Sequence, residues 1–315
     1  MKPFLKFILS VIILIACCAI ADCLIGVVLD KMIDKVPNDG NEIGAAHYAI
    51  KRVDDPVLII GSSRAKKHYY PNIIADSLSL DTYDLGRLGH YVSYSSSLIN
   101  LILDRYIPEI VIWELGMDTF FSDTEDRVNT LKPYYWDNYV VREVIDEKEG
   151  QISRIKLLSN SYRYNGTALD IIHSLIAGGI DNDPLKGMTP IKHSASDFNL
   201  ELSLEKSRTS PIDQARVDRF HNAIQRLNEA GVRVFVFDSP HYALLNPDRN
   251  LASESIIREE CERLAIPIFD NRYLDYFLQH PELFRDYSHL FEDGAEIYTK
   301  LAAHQIVEEL KDGML

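Results

Sequence analysis

From Pro56 onward, apolar runs of strand length alternate with runs whose apolar residues recur at helical spacing, and this rhythm narrows the fold more than any other feature of the chain. Val57 to Ile60 reads as a strand, Asn72 to Leu78 as a helix, Thr82 to Leu85 as a short extended piece, Ser95 to Tyr106 as a helix and Ile110 to Leu115 as a strand. A strand that is apolar at successive positions has both faces covered, which parallel strands joined by crossover helices achieve. The rhythm returns late in the chain. Ser210 is placed to cap a helix with Pro211 at its first position, Val217, Phe220, Ile224 and Leu227 follow at helical spacing, and Gly231 ends it. Val232 to Phe237 is then a strand, Glu254 to Leu264 a helix and Ile266 to Phe269 a strand. A closing helix puts Tyr298, Leu301, Ala302, Ile306 and Leu310 on one face. The pattern predicts an α/β fold with a mostly parallel sheet.

Between the two halves, residues 119–208 lose the rhythm and are rich in aromatics: Phe120, Phe121, Tyr134, Tyr135, Trp136, Tyr139, Tyr162 and Tyr164. This segment reads as an insertion after the third strand. Open α/β sheets bind ligands at the carboxyl ends of their strands, so an insertion there is placed to form a lid or a cleft wall, although packing is the commoner use of buried aromatic rings.

Ahead of the α/β pattern, Phe4 to Leu29 carries only Lys6 and Asp22 among apolar or small residues. As a helix it would extend about 39 Å, enough to cross a hydrocarbon core of about 30 Å with some tilt. Lys2 and Lys6 stand at its N-terminal end, so the positive-inside rule keeps the N-terminus cytoplasmic and sends the remainder across the membrane. Residues 1–30 therefore read as a cytoplasmic tip and transmembrane anchor, 31–55 as a tether, and 56–315 as the exported domain. A cleaved signal peptide and a lipoprotein signal at Leu14-Ile15-Ala16-Cys17 are the rival readings. The apolar run continues well past Cys17, beyond the roughly 7 to 15 residues of a signal core, which favours the anchor.

Three of the four cysteines, Cys17, Cys18 and Cys23, lie in that run, leaving Cys261 alone in the exported part, where a small buried hydrophobe is its ordinary role. The net charge of −14 argues against nucleic acid as a partner and suits a neutral or cationic substrate. The ten histidines include no metal-binding pair spacing, so neither a metal nor another cofactor is expected.

Chemistry enters at two distant points. The strand Val57 to Ile60 runs into Gly61-Ser62-Ser63-Arg64, and far downstream the chain reads Asp286-Tyr287-Ser288-His289. A serine hydroxyl becomes a useful nucleophile when an imidazole takes its proton and a carboxylate orients that imidazole, so these segments together suggest acyl chemistry. Arg64, Lys66, Lys67 and His68 either line the entrance to such a site or solvate the following helix. Asp238-Ser239-Pro240-His241 follows a strand and should lie on the same edge, as a loop or a substrate contact.

In order and context these segments resemble the SGNH hydrolase superfamily, the GDSL-type esterases and acyltransferases, over Pro56 to Asp118 and Ser210 to Leu310. The resemblance implies a three-layer α/β/α sandwich of flavodoxin-like type. It makes Ser63 the nucleophile, His289 the base and Asp286 its partner. Ser62 stands where the family commonly has Asp. In Leu85-Gly86-Arg87-Leu88-Gly89-His90, Gly89 is the closer match to the glycine whose N–H joins that of Ser63 in the oxyanion hole, and Gly86 is the alternative. Where the third block ends in an asparagine donor, Trp113-Glu114-Leu115-Gly116-Met117 is followed by Asp118. An ionised carboxylate there would repel an oxyanion, and loss of one donor costs about 2.7 to 4 kcal/mol. Asp118 must therefore be protonated, paired with Arg64, or turned away. Arg64, His90 and His241 are the candidate substrate contacts.

The function so implied is a membrane-anchored extracytoplasmic serine esterase acting on acyl esters, with acetyl groups of a glycan the leading case. The alternatives are an O-acyltransferase modifying a cell-envelope polysaccharide, which the family implies would work beside a multi-spanning acyltransferase, and a silent glycan-binding scaffold of the same fold.

Overall fold

The computed structural model describes residues 3–38, 42–150, 152–178, 183–193 and 200–312; Lys2 of the anchor flank and residues 39–41 of the expected tether lie outside them, as do 151, 179–182 and 194–199 of the expected insertion. The chain forms two compact units, one from Met1–Tyr48 and Val128–Asn182, the other from Ala49–Arg127 and Asp183–Leu315. The helices are α1 (Pro3–Ile33), α2 (Glu42–Lys51), α3 (Ser63–His68), α4 (Pro71–Leu78), α5 (Val92–Leu103), α6 (Tyr139–Glu149), α7 (Ser153–Lys156), α8 (Asn160–Arg163), α9 (Ala168–Ala177), α10 (Gln214–Glu229), α11 (Ala252–Arg263), α12 (Asp275–Leu278) and α13 (Glu292–Asp312). The strands are β1 (Val57–Gly61), β2 (Thr82–Asp84), β3 (Ile110–Glu114), β4 (Arg233–Asp238), β5 (Ile268–Asp270), β6 (Phe284–Asp286) and β7 (His289–Leu290).

The second unit is built on a five-stranded sheet in the order β2-β1-β3-β4-β5, every pairing parallel. Its central strands are buried throughout apart from Arg233, as their unbroken apolar sequences require. Side chains alternate between two helical layers. Ile59, Ile112 and Phe237 pack with Tyr69, Ile74, Tyr298 and Ile306 from α13 and the α3–α4 region. Trp113 faces the other way, its ring 5.6 Å from that of Phe220 on α10, which packs in turn on α5. The sandwich is thus α/β/α with a parallel sheet, as expected. Because β1 lies between β2 and β3, chain direction across the sheet reverses there, and the carboxyl ends of β1 and β3 flank the crevice where such sheets bind ligands.

Two local expectations differ. Helix α10 starts at Gln214, capped by Asp213, whose carboxylate accepts from the Arg216 N–H at 3.3 Å. Ser210 and Pro211 precede it in extended chain, where Pro211 O accepts from Ser122 N, so they neither cap nor open the helix. Helix α5 runs from Val92 to Leu103 instead of from Ser95 to Tyr106, its first turn satisfied by the Asp126 carboxylate, which accepts from Tyr91 N and Ser93 N at 2.8 and 2.7 Å.

In the first unit, α1 is long and apolar enough to cross a membrane, with 6% of its most apolar window buried. It continues to Ile33, and Glu42–Lys51 of the expected tether forms α2. Tyr134, Tyr135 and Tyr164 are buried in this unit, as Phe120 and Phe121 are in the other, while Trp136 and Tyr139 are exposed.

Candidate active site

Gly61 ends β1 at φ +146°, a conformation open to glycine, and a Cβ there would stand 2.4 Å from the Glu114 carbonyl of β3. The chain can therefore turn sharply off the sheet edge and begin α3 at once, with Ser63 as the first helical residue. Ser63 Oγ donates to His289 Nε2 at 2.8 Å, although 226 positions separate them. His289 opens β7, which pairs antiparallel with β6 so that Asp286 lies opposite it. The Asp286 carboxylate takes the His289 Nδ1–H at 2.9 and 3.0 Å and the backbone N–H groups of Ser288 and His289 at 3.0 Å each. A carboxylate only accepts, so Nδ1 carries the proton and Nε2 offers its lone pair to the serine. Burial works to raise the Asp286 carboxyl, but the hydrogen bond and charge of His289 outweigh it and hold it at about 2.

Under this triplet lies a polar network. His68, one turn from Arg64 on α3, is fully buried and accepts the Leu290 N–H on Nε2 at 3.0 Å, directly beside His289. Its Nδ1–H donates to Ser239 Oγ at 2.8 Å, and Ser239 donates to Glu114 Oε1 at 2.8 Å. Burial pushes the His68 imidazole well below its ordinary range, which keeps it neutral, as one donor and one acceptor require. The chain of bonds joins the ends of β3 and β4 to the strand that carries His289. Its sequence signal was the four-residue spacing of Arg64 and His68, which puts both on one helix face.

Arg64, expected as an entrance residue, is 8% exposed and ion-paired with Glu114 and Asp238. Asp238 also accepts the Met117 N–H at 2.8 Å and so pins the loop after β3. Burial opposes ionisation of Asp238, but Arg64, His241 and Arg272 prevail and hold it strongly acidic. Burial dominates at Glu114 and raises it against the pull of Arg64. His90 is 1% exposed, its Nδ1–H on the Leu88 carbonyl at 2.9 Å and its ring 4.4 Å from Tyr94. His241 is partly exposed, with Nε2 against the Arg64 guanidinium. Of these three, His241 has surface to offer a substrate; Arg64 and His90 hold the scaffold.

The two candidate glycines separate clearly. Gly86 spends its N–H on Asp84 Oδ1 at 2.7 Å. Gly89 has φ +73°, its carbonyl accepts from Arg127 N at 2.9 Å, and among the described residues no acceptor takes its N–H. Exposed Arg127 lies against it, since a Cβ on Gly89 would be 3.1 Å from Arg127 Nε. Asp118 is paired, and with Arg208 instead of Arg64: Oδ2 accepts from Nε at 3.0 Å and has Nη2 at 3.0 Å, while the same guanidinium donates through Nη1 to Asp123 at 2.9 Å. Cys261 is buried in α11, and burial pushes its thiol up to about 12, as befits an inert hydrophobe.

No family model and no curated protein matches the chain. Among solved structures, it is similar to a lipase/acylhydrolase from Enterococcus faecalis at 9% identity and a TM-score of 0.39, over 79% of this chain and 94% of that one. It is similar to a family two carbohydrate esterase from Cellvibrio japonicus at 11% identity and a TM-score of 0.37, over 80% of this chain and 60% of that one. An acetyl xylan esterase is similar at 11% identity and a TM-score of 0.38, over 80% of this chain and 98% of that one.

Proposed function

We propose that the chain is a membrane-anchored serine esterase acting outside the cytoplasm on acyl esters, acetyl esters of a glycan first among them. The observation that carries this is the continuous line of hydrogen bonds from Ser63 Oγ through the His289 ring to Asp286, on the sheet edge where strand order reverses. Ser63 Oγ attacks the ester carbonyl as its proton passes to His289 Nε2, and the imidazolium is stabilised by Asp286. The N–H groups of Ser63 and Gly89 receive the oxyanion. Collapse returns the proton to the leaving alcohol and leaves an acyl group on Ser63; water, activated by the same imidazole, then releases the acid. Lys6, in the first turns of α1, orients the anchor with its N-terminus inside.

The full chain in detergent, given a chromogenic acetyl ester with and without oligosaccharide acceptors, tests this. Ester loss that vanishes in Ser63→Ala and ignores the acceptor is the expected result. Acylated oligosaccharide would assign transfer instead of hydrolysis. Failure of Ser63 to react with a fluorophosphonate, with polysaccharide binding retained, would overturn the enzyme in favour of a binding scaffold.

A further inference from the structure

Asp22 is the one carboxylate within the apolar stretch Phe4 to Leu29, and a lone charge of this kind at the centre of a membrane helix costs about 2.5 to 3.5 kcal/mol. It is not alone. Its carboxylate accepts from Ser159 Oγ at 2.9 Å, Asn160 N at 2.7 Å and Ser161 N at 2.9 Å, the opening turn of α8. One turn on, Gly26 lets α8 approach: a Cβ there would lie 2.4 Å from Asn160 Cγ. Two turns from Asp22, Asp30 takes Arg163 Nη2 at 3.1 Å and the Tyr164 hydroxyl. Helix α8 therefore lies along α1 from Asp22 to Asp30, and α9 packs on α1 as well.

Helices α7 and α9 turn apolar side chains outward, on α9 beside the exposed Asp170 and His173. Helix α9 buries Ile171 and Ser174 and turns out Leu169 and Ile176, each 80% exposed, with Ile172 between them. At and beside α7, Ile152, Ile155 and Leu158 are 56%, 70% and 69% exposed, with Lys156 exposed among them and Arg154 held by Asp146 at 2.6 Å. On α1 itself, apolar surface does not stop at Asp22 but continues through Leu24, Ile25, Val27 and Val28.

We propose that α7, α8 and α9 are seated in the interfacial layer of the lipid bilayer, the apolar side chains at α7 and α9 among the acyl chains and Lys156 at headgroup phosphates. This rests on α1 being the membrane anchor. From Phe4 to Val28, α1 is about 37 Å long, about 7 Å more than a hydrocarbon core of about 30 Å. That excess matches the depth of about 5 to 10 Å at which amphipathic helices lie in a membrane surface. Partnering with the α8 N–H groups is what makes Asp22 tolerable at that depth, and continuity with the anchor identifies lipid as the cover of a face too apolar for water.

The full chain, with Cys17, Cys18 and Cys23 replaced by alanine and Cys261 left buried, is labelled with an environment-sensitive fluorophore at Leu169→Cys, Ile155→Cys or, within the span, Ile15→Cys. Each is reconstituted into phosphatidylcholine and phosphatidylglycerol vesicles with and without bromine on the acyl chains. Loss of emission at all three sites in brominated vesicles is the expected result. Quenching at Ile15→Cys alone overturns the lipid seat, leaves the anchor standing and assigns the face to a protein partner. Quenching at none overturns both.

Discussion

Arg208 holds Asp118 through two nitrogens, each 3.0 Å from one carboxylate oxygen. The acidic residue after β3 is thereby paired with a cation from another segment, which also holds Asp123 at 2.9 Å and so offsets part of the negative charge there. Arg208→Ala should lower kcat by about two- to fivefold, the scale of an exposed ion pair lost beside the site. The double variant Arg208→Ala with Asp118→Asn should regain most of the loss. Steady-state kinetics on an acetyl ester decide it, and a double variant as slow as the single one would refute the pairing as the cause.

His68 acts through position. It holds the Leu290 N–H at 3.0 Å, next to the candidate base, and reaches Glu114 through Ser239. His68→Ala should lower kcat with little change in KM and cost about 1 to 3 kcal/mol of stability for an orphaned buried donor. His68→Gln, which keeps an acceptor, should recover part of both. A KM effect without a kcat effect would show that His68 serves binding instead.

Arg64 separates two buried carboxylates, Glu114 and Asp238, which are 3% and 1% exposed. Arg64→Met keeps bulk but removes the charge, so a loss of about 3 to 5 kcal/mol is expected. Urea unfolding measures it; a loss below about 1 kcal/mol, the scale of an exposed pair, would contradict the burial argument.

Asp84 gives a pH dependence with a definite sign. Burial raises its carboxyl from 3.8 to about 7, against the pull of Lys66 and the Gly86 N–H. The folded state therefore keeps a proton that the unfolded chain gives up. Its contribution is complete below pH 3.8 and is lost as pH rises through about 7. Asp84→Asn, which retains an acceptor for Gly86, should fall off less in urea midpoint between pH 4 and 7.5 than the parent. Parallel curves for the two proteins would rule the effect out.

Much of the molecule was legible in the sequence because its signals are local. Apolar runs buried on both faces fix strand positions within a residue or two, and the ends of β1 and β3 carry the motif residues Ser63 and Gly116 wherever the rest of the chain goes. Helix starts are less legible where a carboxylate supplies the cap: Asp126, 33 positions downstream of Ser93, satisfies the start of α5, and Asp213 outcompetes Ser210 at α10.

By itself, then, the sequence determined the parallel α/β sheet, the apolar helix α1 and the residue types needed for serine chemistry, since periodicity and motif order depend on near neighbours. Tertiary structure alone decided that Ser63, His289 and Asp286 share one line of hydrogen bonds, that Arg208 and not Arg64 forms the ion pair with Asp118, and that Asp22 caps α8. The physical reason is that hydrogen bonds and ion pairs act over about 3 Å, while the groups that make them stand as far apart in the chain as 226 positions. Only the folded path of the backbone brings them within reach.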